Sequence, residues 1–152
     1  AENAGRSANA QNNATGRAAG AQPSETGVQR SELGQLRAEL QGLNAANAST
    51  QAFANAHPDS QVGRIAAYYN AALATQEAEV AAQEALAEIQ ALQAAYDGQM
   101  PAEIENQIAS LQAIVDAYEM AQLTEAEALQ SASGDRTLSD EAVAELRGML
   151  GL

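Results

Sequence analysis

The sequence predicts an all-α fold: a long antiparallel, coiled-coil-like helical hairpin with an additional N-terminal helix and a short C-terminal helix. Three features predict it. Apolar residues recur at alternating spacings of three and four through the stretches 60–97 and 101–131, the period that puts side chains on one face of a helix. Between them stand Asp97, Gly98, Gln99, Met100 and Pro101, where glycine suits a helix end and proline a helix start. Alanine, the strongest helix former, fills 38 of the 152 positions.

Large apolar residues are scarce by contrast. Leu, Ile, Val and Phe make 25 of 152 residues, under the roughly one-fifth expected of a chain that builds its own globular core. Alanine helices form readily but remove little apolar area from water. Thin, elongated helices that gain stability from neighbours are therefore expected.

Residues 1–30, mostly Ala, Asn, Gly, Gln, Ser and Thr with Val28 the one large apolar side chain, read as a low-complexity arm that a neighbouring subunit would have to hold. Residues 31–152 read as one helical bundle domain. Its first helix is expected over 31–56, capped by Ser31, with Leu33, Leu36, Leu40 and Leu43 as a narrow seam. Gly34 and Gly42 weaken that helix by about 1 kcal/mol each relative to alanine, so the seam needs a partner surface. Past Leu43 the pattern fades, leaving helix and loop both open as far as Pro58, with Phe53 as an aromatic anchor.

The second helix is expected over 60–97, capped by Asp59 or Ser60. Val62, Ile65, Tyr69 and Leu73 form an early stripe; Ala78, Ala82, Ala85, Ile89, Leu92 and Tyr96 form a later one, small enough for close helix approach. Adjacent Tyr68 and Tyr69 point about 100° apart, so one is expected in the seam and the other against a neighbouring element. The third helix, 101–131, carries the strongest period in Ile104, Ile108, Leu111, Val115 and Tyr118. Thr124 and Glu127 form a candidate capping box, which allows a kink there. After a break round Gly134, a final helix over 138–150 takes Thr137 or Ser139 as its cap. It sets Leu138, Val143, Leu146 and Leu150 on one side, and Arg147 complements its dipole.

Composition narrows the function classes. The net charge of −13, with seven arginines and no lysine, speaks against nucleic acid and anionic membrane as partners. Without cysteine there is neither a disulfide nor a thiolate, and with His57 the only histidine no transition-metal site or catalytic triad takes shape. Glu84 and Glu88, four apart, are the nearest approach to a cation pair, and acidic helices carry such pairs commonly. No Gly-rich phosphate loop occurs, and no transmembrane run is present. Asn13-Ala14-Thr15 and Asn47-Ala48-Ser49 match the glycosylation pattern, as an Asn- and Ala-rich chain does by chance. The expectation is thus no catalytic, cofactor or metal residue.

Between Arg64 and Arg136 there is no cation and there are twelve carboxylates. The two hairpin helices therefore join through apolar contact, with their charges turned outwards. The expected function is a non-enzymatic structural or adaptor subunit, assembling as a homo-oligomer or filament through helix packing and the N-terminal arm. Its packing and interface residues are the leucines of the first seam, Tyr68, Tyr69, Ile89, Leu92, Tyr96, the Ile104 to Tyr118 seam, Val143, Leu146 and Leu150. The alternative is a binding module whose acidic helical face holds a basic protein. A start at Ala1 in place of Met suits a mature exported chain, so a periplasmic, surface or extracellular location is expected.

Overall fold

The computed structural model describes residues 25–152, and the predicted all-α hairpin architecture is the observed one. In chain order the helices are α1 (Glu25–Glu39), a 3-10 turn (Asn44–Asn47), α2 (Thr50–Ala54), α3 (Gln61–Ala95), α4 (Ala102–Ser133) and α5 (Asp140–Leu150). Among the described residues there is no strand. The expected arm lies outside the described residues up to position 24.

Helices α3 and α4 are the hairpin, 35 and 32 residues long, or about 50 Å each. Ser60 caps α3 by accepting from the Gly63 amide at 3.0 Å. Gly98, at φ +97°, turns the chain after α3. Pro101 is the N-cap of α4 and not its first helical residue. Packed along the seam are Ile65, Tyr68, Ala72, Thr75, Ala82, Ala85 and Ile89 of α3, facing the half-buried Ile104, Ile108, Leu111, Val115 and Tyr118 of α4. Three side-chain bonds fix the register: Gln61 donates to the Ala132 carbonyl at 2.8 Å, the Thr75 hydroxyl to the Ala121 carbonyl at 3.1 Å, and Gln107 to the Glu88 carboxylate at 2.8 Å.

Several expectations need correction. The helix expected over 31–56 is three pieces. It starts earlier, at Glu25, because Gly27 alone does not outweigh the helix propensity of the residues around it. It stops after Glu39 in a turn whose Gly42 sits at φ +90°, a conformation that costs a side chain and that glycine takes freely. Ser49 then starts α2 afresh, accepting from the Ala52 amide at 3.2 Å, so the Ser of the second glycosylation pattern is a helix cap. The capping box at Thr124 and Glu127 does not form. Helix α4 runs through it unbroken, and the Thr124 hydroxyl turns back to the Met120 carbonyl at 3.0 Å. The final helix begins after Ser139, leaving Leu138 ahead of the cap.

The core lies at one end of the hairpin. Leu43, Ala46, Ile65, Tyr68, Ala72, Ala132 and Leu146 form a buried cluster, on which Leu40, Phe53, Leu129, Leu138, Met149 and Leu150 pack. The 3-10 turn, α2 and α5 thus close the base of the hairpin, where the α3 N-terminus meets the α4 C-terminus. Beyond it, among the described residues, the hairpin continues as α3 against α4 alone.

Candidate interaction surfaces

At the base, the residues expected as packing anchors take three kinds of place. Leu43, Tyr68 and Leu146 are fully buried. Leu36, Leu40, Val143 and Leu150 are half-buried, while Leu33 is 51% exposed. The four leucines of the first seam are therefore not one face: Leu40 and Leu43 have left the helix and entered the core, and Leu33 faces out. Tyr68 enters the α3–α4 seam, and Tyr69 instead stacks on Phe53 of α2, ring centroids 6.2 Å apart. The early stripe on α3 thus runs through Tyr68 and Ala72, leaving Leu73 at 36% exposure. Further along, Ile89 is buried, Leu92 half-buried, and Tyr96 exposed near the turn.

Beyond Arg64 in the first turn of α3 the hairpin carries no cation of its own, and one comes to it from α5. Arg147 pairs with Glu125 of α4, and the same Nη1 stands 3.5 Å from the Tyr68 hydroxyl, at the outer limit of a hydrogen bond. Burial pushes the Tyr68 phenol above its usual value, against the pull of the guanidinium, so the ring stays neutral. Arg147 lies in the last turn of α5, as its dipole favours, but its side chain serves as a tie across helices.

A second polar tie holds α1 to α5. Glu39 Oε2 accepts from both the Ser139 amide, at 2.8 Å, and the Ser139 hydroxyl, at 2.6 Å. These two bonds, with Arg136 close by, hold the Glu39 carboxyl below the usual carboxylate range. Arg136 itself donates to the Gln41 carbonyl at 2.9 Å and to the Ser133 carbonyl at 2.9 Å. It thereby serves the free carbonyls after α1 and at the end of α4. Above this tie, α1 and α5 flank a groove of about 520 Å³ whose lining includes Leu33, Leu36, Glu32, Glu39 and Glu141. Sequence reasoning missed it, because nothing in the local pattern pairs residue 39 with residue 139.

The hairpin carries large apolar side chains outside its seam. Val80 on α3 is 58% exposed, and Met120 and Leu123 on α4 are 61% and 59% exposed. Thr75 stands against Ala121, so Met120 and Leu123 lie level with the middle of α3 around Thr75, and Val80 lies five residues, about 7 Å, nearer the turn. Glu77 and Glu84 flank Val80 at helical spacing, as Asp116 and Glu127 flank Met120 and Leu123.

Among the described residues no three His, Asp or Glu side chains gather as metal ligands, and no helix is long and apolar enough to cross a membrane. His57 is exposed, 3.7 Å from Asp59. Its carbonyl accepts from the Ser60 hydroxyl at 2.6 Å, so this residue shapes the turn into α3. Glu88 is occupied by Gln107, and Glu84 is exposed. No protein-family model, curated protein or solved structure matches the chain.

Proposed function

We propose that the chain is a non-enzymatic structural or adaptor subunit that assembles with copies of itself through the outer sides of its hairpin helices. The observation carrying this reading is the presence of Val80 on α3 and Met120 with Leu123 on α4, more than half exposed and within about two helical turns of one another along the hairpin. The outer side of α3 in one copy meets the outer side of α4 in the next. Such a head-to-tail contact builds rings or filaments.

Residues 1–24 contain no Leu, Ile, Val, Phe, Met or Tyr. An arm of that composition gains nothing from its own core, and in this reading it lies against a neighbouring subunit. Light scattering on the full chain over a rising concentration series tests the proposal, beside a chain lacking residues 1–24. Growing mass for the full chain, reduced by the deletion, is expected. Two well-folded monomers at high concentration would contradict it.

A further inference from the structure

The groove between α1 and α5 combines features that the hairpin faces lack. It is concave, and Leu33 and Leu36 supply its apolar surface. Glu32, Glu39 and Glu141 bring carboxylates to it, and among the described residues no cationic side chain lines it. Arg136, close to Glu39, already donates to the carbonyls of Ala38, Gln41 and Ser133. An apolar groove between two helices is the receptor form for the apolar face of a third helix.

Charge and composition select the occupant. Residues 1–24 offer Arg6 and Arg17 but no large apolar side chain, so they match the rim and not the leucines. A second copy carries the same charge of −13 and meets the rim with repulsion. Phosphate-rich surfaces are repelled in the same way. A ligand with leucine-like side chains on one face and arginine or lysine beside them satisfies both halves of the groove.

We propose that the α1–α5 groove is a docking site for a basic amphipathic helix of a partner protein. The partner's apolar residues, at helical spacings of three and four, pack on Leu33 and Leu36. Its cations reach Glu32 and Glu141, which are exposed and free of side-chain bonds within the described residues. Glu39 contributes negative potential while keeping α5 capped through Ser139.

The probe is a fluorescent Leu/Arg peptide about four helical turns long, with its leucines on one helical face. One control shuffles its order at constant composition, and a second carries Glu for Arg. Anisotropy titration of the full-length chain is expected to show binding of the amphipathic basic peptide, weakened by salt. The shuffled peptide binds roughly tenfold more weakly or worse, a difference of about 1.4 kcal/mol, and the acidic peptide does not bind. Leu33→Ser and the double change Glu32→Gln with Glu141→Gln each reduce affinity by roughly tenfold, whereas Leu123→Ser on the hairpin leaves it unchanged. Leu33 is 51% exposed, so its replacement leaves the fold intact, as circular dichroism will show. Equal binding of the shuffled peptide, indifference to the groove changes, or no binding at all would overturn the proposal. The site goes beyond the self-assembly reading and fails separately from it: peptide affinity falls with salt, whereas assembly between like-charged copies rises.

Discussion

Arg147 on α5 closes an ion pair with Glu125 on α4, their side chains only 30% and 17% exposed, and the same guanidinium approaches the Tyr68 hydroxyl on α3. One cation therefore ties three helices at the base of a hairpin that has none of its own between Arg64 and Arg136. Removing either partner leaves the other partly desolvated and unpaired. The pair lies between an exposed bridge, worth under about 1 kcal/mol, and a fully buried one, whose breaking costs about 3–5. Glu125→Gln and Arg147→Met are each expected to lower stability by about 1–3 kcal/mol, and the double change by little more than either. Denaturant titration of all four proteins checks this; strict additivity would show that the pair does not act as a unit.

Gly63 sets two principles against each other. In an exposed helix interior, alanine would stabilise by up to about 1 kcal/mol over glycine. At this position a Cβ would stand 2.0 Å from the His57 carbonyl oxygen, well inside contact distance and against backbone that cannot rotate away. Overpacking of this kind costs typically about 1–3 kcal/mol, so the clash outweighs the propensity. Gly63→Ala is expected to lower the melting temperature, while Gly34→Ala, where a Cβ meets nothing within 4 Å, is expected to raise it. A Gly63→Ala protein more stable than its parent would place the His57–Pro58 turn elsewhere.

The tie from Glu39 to Ser139 predicts a pH response with a definite sign. A carboxyl held below its ordinary value keeps its charge in the fold at pH values where the unfolded chain has already taken up a proton. Its stabilisation is therefore fully present above the unfolded value, near 4.3, and is lost as pH falls through the lower folded value. Protection of the α1 amides, measured as the exchange rate relative to the intrinsic rate at the same pH, should fall below about pH 4 in the parent. In Glu39→Gln, α1 should be less protected already at neutral pH, with little further loss on acidification. Identical pH profiles for the two proteins would remove the carboxylate from this role.

The two ends of the hairpin should differ in energy. Leu146 is fully buried in the base cluster, and its truncation to alanine is expected to cost about 2–5 kcal/mol. Ile108 lies in the two-helix portion and is only half-buried, so Ile108→Ala should cost clearly less. Unfolding at concentrations low enough to keep chains apart measures both. Equal costs would mean that the far half of the hairpin is as well supported as its base.

What was legible in the sequence follows the same division. The α4 seam could be read because Ile104, Ile108, Leu111, Val115 and Tyr118 are large residues set among polar ones, so their period stands out. On α3 the seam passes through Ala72, Thr75, Ala82 and Ala85, and alanines on every face blur the phase. The local pattern therefore sets Tyr69 and Leu73 in the early stripe, where the structure has Tyr68 and Ala72. The base was harder still. Leu43 is buried although it lies outside any α-helix, because long-range packing with Ile65 and Leu146 holds it. The α1–α5 groove rests on Glu39 meeting Ser139 and Arg136 meeting Gln41, contacts between residues near opposite ends of the domain that leave no local period.

Assembly through the outer hairpin sides, as proposed above, brings carboxylates together. Glu77 and Glu84 beside Val80 oppose Asp116 and Glu127 beside Leu123 when copies meet, so screening by salt should promote association. The most direct measurement is the solution mass, by light scattering at low and high salt, of the parent and of the double variant Val80→Asp with Leu123→Asp. Both changed positions are more than half exposed, so the variant should keep its helicity. The parent is expected to be oligomeric, with a mass that rises with salt, and the variant to stay monomeric at both. A parent and variant of the same mass under each condition would contradict it.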